Sequence, residues 1–218
     1  MPTKPFTLQI AVTAYLRALL ITALLLVGIH IGLNCYHYLV EKLPWLLRQL
    51  FDLDEENNIP TWFSHFLLLN NAFVLFLIAS ATPSEKRYYW WTLALGFLVL
   101  SIDEVAGLHE TFHSMIDINW AIPAGGLVAI VAVFFIPFLR SLERRVAILY
   151  LISGAIFISG ALIIELLSED MESKSLAYAF ATSLEEGLEM AGALLFLSVN
   201  LNIIKTAGAN ANVGTYAH

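Results

Sequence analysis

"IAVTAYLRALLITALLLVGI", residues 10–29, is a predominantly apolar stretch that determines the class of protein. A helix of about 20 residues is long enough to cross the ~30 Å hydrocarbon core of a bilayer. The stretch is too long for the apolar region of a removable signal peptide, and no small-residue cleavage site follows it. We therefore expect it to remain as the first membrane-spanning helix.

The composition of the 218-residue chain supports the same class, with 59% hydrophobic and 13% charged residues and a mean hydropathy of +0.75. Soluble domains are roughly 45–50% apolar and about 25% charged. Hydropathy predicts an all-α bundle of six spans within one domain, residues 1–205. The predicted spans are 10–39, 61–82, 88–113, 120–140, 146–168 and 176–204. The small polar residues 206–218 predict a disordered tail.

The segment between the first two spans predicts an interfacial amphipathic stretch followed by an acidic turn. Its acids lack the glycine and the final bidentate acid of a calcium-binding EF-hand loop, so we expect a solvated loop. These acids are Asp52, Asp54, Glu55 and Glu56. The single cysteine, Cys35, excludes an internal disulfide and a multi-cysteine metal site.

The basic residues predict the orientation of the bundle. With both termini in the cytoplasm, the inner side carries Lys4, Lys86, Arg87, Arg140, Arg144, Arg145 and Lys205. The outer side carries Lys42, Arg48 and Lys174. We therefore expect a multi-pass protein of a bacterial inner membrane, with the bilayer as its surroundings and no nucleic-acid partner.

Two predicted spans carry acidic clusters at overlapping depths in the outer half of the bundle. "LVLSIDEVAGLHETFH", residues 98–113, contains Asp103, Glu104, His109, Glu110 and His113, and a helical wheel places all but Glu104 within an arc of roughly 120°. "SLEEGLE", residues 183–189, contains three acids within an arc of roughly 100°. These acids are Glu185, Glu186 and Glu189. Two one-sided polar stripes at equal depth are expected to face each other inside the bundle.

These buried carboxylates need compensating positive charge, because an isolated buried charge is costly and otherwise neutralises. The spans place no lysine or arginine at this depth. Bound cations, protons or water must therefore supply the compensation, and intramembrane ionisable residues indicate a functional site. Imidazole and carboxylate ligands without thiolate favour a divalent transition metal, with zinc first and iron and manganese as alternatives.

Residues 109–113 also spell H-E-x-x-H, which resembles the zincin metallohydrolase pattern over five residues. Histidines at i and i+4 share a helical face and can bind one zinc ion, while the intervening Glu acts as general base. This predicts His109 and His113 as metal ligands, Glu110 as the base and Asp103 as the residue that orients a ligand histidine. Further candidate ligands are Glu186, Glu189, Glu185 and Glu104.

Several polar residues leave alternatives open. Glu110-x-x-His113 resembles one element of ferritin-like di-iron bundles, but those proteins carry the element twice. His30, Asn34 and His37 form a stripe on the first span that suits helix–helix hydrogen bonds or metal ligation. Glu165 lies deep enough in the fifth span to join the acidic cluster.

Three motifs together resemble a widespread group of uncharacterised bacterial inner-membrane proteins. They are "FDLDEENNIPTWFS", "LSIDEVAGLHE" and "LEEGLEMAG", and the resemblance covers about residues 43–192. It implies a bacterial multi-span protein and supplies no activity.

Three function classes follow from the residues. The leading hypothesis is a metal-dependent hydrolase that acts on a lipid or membrane-embedded substrate. The alternative is a metal-ion or proton-coupled transporter. "SIDE" (101–104) is similar to "SLEE" (183–186) in a helix of opposite direction, and an inverted repeat of this kind is typical of transporters. The third is a structural or accessory subunit whose buried polar network fixes helix pairing.

Overall fold

Six long helices and one short helix make up the part of the chain that the computed structural model describes, residues 11–108 and 121–214. The long helices are α1 (Val12–Leu39), α3 (Ile59–Ala81), α4 (Ser84–Ala106), α5 (Ala121–Ser141), α6 (Arg144–Ser168) and α7 (Leu176–Gly214), and the short helix is α2 (Trp45–Gln49). Each long helix contains a segment that is long and apolar enough to cross a membrane. The predicted all-α, six-span fold is confirmed.

Two tight connections place neighbouring helices antiparallel. Thr82 and Pro83 join α3 to α4, and Leu142 and Glu143 join α5 to α6. Pro83 favours this break, because proline disfavours helical conformation in the residue before it. The rings of Tyr89 and Phe138 lie 5.0 Å apart, which brings both connections to the same end of the bundle.

We name the two ends of the bundle by their charged residues. The basic end holds both tight connections and is flanked by Lys86, Arg87, Arg140, Arg144 and Arg145. The acidic end holds the α1–α3 connection, residues 40–58, and the α6–α7 connection, residues 169–175.

A buried chain of hydrogen bonds joins α3, α6 and α7. Tyr150 donates to Asn200 Oδ1 at 2.6 Å, and the Asn200 amide donates to Asn71 Oδ1 at 3.2 Å. Asn71 then donates to the carbonyl oxygen of Ala193 at 2.9 Å. Each interhelical hydrogen bond in a membrane contributes only about 0.6 kcal/mol on average. Their geometry nevertheless fixes the register of three helices.

Two glycines allow the backbones of α6 and α7 to approach closely. A Cβ atom on Gly192 would lie 2.7 Å from the Phe157 Cβ atom and 2.8 Å from the Ser153 carbonyl oxygen. A Cβ atom on Gly160 would lie 2.5 Å from the Glu185 carbonyl oxygen. Gly160 belongs to a π-helical segment within α6, Ser159–Ile164, so an irregular turn of α6 lies directly against the acidic part of α7.

Two boundaries differ from the predicted ones. Helix α4 ends at Ala106 instead of continuing to residue 113, because Gly107 adopts a left-handed conformation with φ of 55° and caps the helix. The helical wheel that grouped Asp103 with residues 109–113 assumed one continuous helix and is wrong in that respect. Helix α7 extends to Gly214, so the backbone is helical over 206–214 where a disordered tail was predicted.

Gly192→Ala is expected to destabilise the protein by about 1–3 kcal/mol, because a methyl group would overlap the backbone of α6. Gly154→Ala on α6 is the matched control, since a Cβ atom there has no neighbour within 4 Å in the described structure. Thermal unfolding of the purified protein in detergent checks both variants. Equal melting temperatures for the two variants would contradict the close approach.

Candidate functional site

A cavity of about 430 Å³ lies between the long helices toward the acidic end. Its walls come from α3, α4, α6 and α7 and from the loop that follows α2. Seven carboxylates line it: Asp54, Asp103, Glu104, Glu165, Glu185, Glu186 and Glu189. The two acidic clusters of α4 and α7 therefore face one cavity, as the depth argument predicted.

The structure extends the predicted cluster by two carboxylates. Glu165 lines the cavity from the last turns of α6, whereas the sequence left open whether it joins the acidic cluster. Asp54, which the sequence predicted to be a solvated loop residue, lines it as well. Glu104 also contributes to the wall, although the helical wheel placed it away from the stripe.

Hydrogen bonds between α3 and α4 set the rotation of α4. The carbonyl oxygen of Ser101 lies 2.6 Å from His65 Nδ1, and the Ser101 hydroxyl donates to the His65 carbonyl oxygen at 3.1 Å. Ser101 is completely buried on this side of the helix. Asp103 and Glu104, two and three residues further on, consequently reach the cavity.

The acidic loop covers one side of the cavity. The Tyr178 hydroxyl on α7 donates to Asp54 Oδ1 at 2.7 Å. The surrounding protein desolvates the Asp54 carboxyl group and raises its pKa, and the neighbouring carboxylates raise it further, although the residue keeps more than a third of its surface exposed. No sequence signal identified Asp54, because its position depends on contacts distant in the chain.

The same loop lies directly on the end of α4. The Glu56 carboxylate oxygens lie 2.6 Å from the position that a Cβ atom on Gly107 would occupy. Glycine is favoured at position 107 by its positive φ, and its lack of a side chain leaves room for the Glu56 carboxylate.

Two histidines of α1 hold the connection that carries this loop. The buried His30 accepts a hydrogen bond from the Leu53 amide at 3.0 Å, next to Asp54. His37 accepts one from the Leu43 amide at 2.9 Å. Asn34, between them, accepts from Arg48 at 3.2 Å. The predicted polar stripe of α1 thus binds the connecting segment, and His30 also hydrogen-bonds the backbone of Ala179 on α7.

The H-E-x-x-H residues lie outside the described ranges. His109, Glu110 and His113 belong to this group, so their predicted roles as ligands and base stay predictions. Within residues 11–108 and 121–214, no three His, Cys, Asp or Glu side chains are close enough to hold one metal ion directly.

The described cavity wall carries no lysine or arginine. Glu186 and Glu189 make no hydrogen bond or ion pair with other described residues. Thr182 on α7 is only 4% exposed, and its hydroxyl, which faces the cavity, has no hydrogen-bond partner in the described part of the chain. This hydroxyl is therefore free to form a hydrogen bond with a molecule that enters the cavity.

The family model for DUF8692, a domain of unknown function, matches residues 12–202. The chain belongs to the DUF8692 family. No curated protein and no solved structure matches this DUF8692 protein. The family assignment agrees with the resemblance to an uncharacterised group and supplies no activity.

His30→Ala is expected to increase the rate of amide hydrogen exchange at Leu53, because it leaves the buried Leu53 N–H without a partner. The cost of about 1–3 kcal/mol for such a group corresponds to a roughly 5- to 150-fold faster exchange. His37→Ala is the matched control and should affect Leu43 instead. Residue-resolved exchange measured by mass spectrometry distinguishes the two amides. A uniform increase over residues 40–58 in both variants would contradict the separate tethers.

Proposed function

We propose that this DUF8692 protein is a multi-pass inner-membrane protein that binds a divalent transition-metal ion in the carboxylate-lined cavity. We further propose that the metal serves hydrolysis of a lipid or membrane-embedded substrate. One observation carries the proposal: seven carboxylates line a single cavity whose described wall has no lysine or arginine.

Charge balance supports a cation in this cavity. Two like charges 4 Å apart repel by about 4 kcal/mol at an effective dielectric constant of 20. Several carboxylates in one cavity therefore either stay protonated or gather cations. The unpartnered hydroxyl of Thr182 adds a neutral oxygen donor to the same wall.

The orientation of the bundle follows the positive-inside rule. The basic end, with Lys86, Arg87, Arg140, Arg144 and Arg145, faces the cytoplasm in this proposal. The cavity then opens in the outer half of a bacterial inner membrane.

The donor set determines which metals fit. The described wall offers oxygen donors, which suit manganese and other hard cations. Zinc or iron would use imidazole nitrogens from His109 and His113 together with Glu186 or Glu189. In the hydrolytic proposal Glu110 acts as general base and Asp103 orients a ligand histidine, while Glu185 and Glu104 complete the acidic surroundings.

Cation transport is a second candidate, which the π-helical segment of α6 favours. Irregular helical turns within a membrane are tolerated where they line a cavity, and π segments occur frequently at functional sites. Ser159–Ile164 meets both conditions, because Ala161 lines the cavity and Gly160 contacts α7. A metal-ion or proton-coupled carrier would use the same carboxylates as its relay.

The double variant Glu186→Gln/Glu189→Gln is expected to weaken Mn²⁺ or Zn²⁺ binding by at least about tenfold, since it removes two candidate ligands. Glu169→Gln is the control, because Glu169 is exposed and outside the cavity wall. Elemental analysis and titration calorimetry of the purified protein measure occupancy and affinity. The metal-free double variant should also unfold at a higher temperature, since two uncompensated carboxylates are gone.

The absence of stoichiometric metal and of metal binding would contradict the metal proposal. Combined with a lower melting temperature of the double variant, that result would support the third class, a structural subunit with a buried network.

Glu110→Gln separates hydrolysis from transport. In a hydrolase it should abolish product release from a membrane lipid extract, by at least about a hundredfold, while metal stays bound. In a carrier it should change metal uptake into proteoliposomes and the pH dependence of that uptake. Mass spectrometry of the lipids and a metal-sensitive dye inside the vesicles provide the two measurements.

A further inference from the structure

On α4 and α6 the cavity wall changes from polar to apolar toward the basic end. Leu100 lies about 5 Å closer to the basic end than Asp103 and Glu104 on α4. Phe157 and Ala161 likewise precede Glu165 on α6, and Leu68 adds an apolar surface from α3. A molecule that fills the cavity therefore meets apolar side chains beside carboxylates, since Glu189 on α7 lines the same space as Phe157.

Helix α4 closes this cavity only loosely within the described structure. It packs extensively on α3, and its contact with α5 lies near the basic end, where Tyr89 meets Phe135 and Phe138. No comparable packing joins α4 to α6 or α7 in the described ranges.

Exposed apolar side chains lie on α4 and on the acidic-end half of α5. Val99 and Ile102 of α4 are 58% and 49% exposed. Leu127 and Ile130 in the first half of α5 are 62% and 69% exposed. Leu100, between the two exposed residues of α4, both lines the cavity and is 39% exposed. At this depth in a membrane-spanning helix the surrounding molecules are lipid chains.

We propose that the cavity opens sideways between α4 and α6, beside α5, and admits a membrane amphiphile whose headgroup carries an ammonium group. This inference rests on the proposed function in one respect, because both proposals take a ligand of the cavity from the membrane. An ammonium group pairs directly with the carboxylates, whereas an anionic headgroup would be repelled by them. The Thr182 hydroxyl, buried and without a partner among the described residues, accepts a hydrogen bond from the headgroup.

Photolabelling of the full-length protein in nanodiscs tests this inference. The probe is a hexadecylamine with a diazirine in its chain, and the comparison probe has the same chain with a carboxylate headgroup. We expect the amine probe to label cavity peptides containing Leu100 or Phe157 at least about five times more than the carboxylate probe. Equal labelling by the two probes would overturn the proposed headgroup preference.

A matched pair of variants tests the route of entry. Leu100→Trp is expected to reduce labelling at Phe157 by at least about fivefold, because the larger ring fills the opening. Val99→Trp places the same ring on the neighbouring exposed position outside the cavity wall and should leave the labelling unchanged. Equal effects of the two variants would overturn the side opening. Full protection by an equal concentration of butylamine would also overturn it, since the cavity would then take a water-soluble cation.

The same labelling in EDTA separates this inference from the metal proposal. Amine-selective labelling that persists in EDTA supports the amphiphile independently of metal, whereas protein purified without chelator that neither carries nor binds metal contradicts the metal site. Stoichiometric metal without amine-selective labelling supports the metal site and contradicts the amphiphile.

Discussion

The concentration of carboxylates around one cavity within the bundle constrains everything else in this protein. A single charged side chain at the bilayer centre costs at least about 2.5–3.5 kcal/mol, and here seven carboxylates surround one cavity. The bundle meets that cost by leaving space around the carboxylates, where water, protons or cations can reach them. Close-packed helices at this depth would have required basic partners that the described wall lacks.

The rest of the bundle is built to support this open region. At the basic end, aromatic rings and the hydrogen bonds of Tyr150, Asn200 and Asn71 hold the helices together. Along one side, Gly160 and Gly192 bring α6 and α7 into backbone contact. Toward the acidic end, a loop tethered to His30 covers the cavity and contacts the end of α4. The cavity therefore has closely packed walls at α6 and α7, whereas α4 is held through α3 and packs little on α6 or α7 in the described ranges.

The sequence predicted the features that depend on local composition. The spans follow from long apolar runs, and the facing acidic clusters follow from their depth in helices of known direction. The position of Asp54 was missed, because it depends on the Tyr178 hydroxyl and on the His30–Leu53 hydrogen bond, between residues distant in the chain. The end of α4 was also missed. Glycine is tolerated within membrane helices, and only the left-handed conformation of Gly107 shows that it ends this one.

The π-helical segment of α6 has a consequence for how this site could be gained or lost in evolution. A π turn is equivalent to one extra residue in an α-helix, and one residue corresponds to a rotation of about 100°. The side chains after Ser159–Ile164, including Glu165, therefore point in a different direction from the one that they would have in a regular α-helix. Deleting a single residue from this segment would turn Glu165 away from the cavity while preserving the span. Length differences of one residue at this position would consequently mark homologues in which this carboxylate no longer lines the cavity.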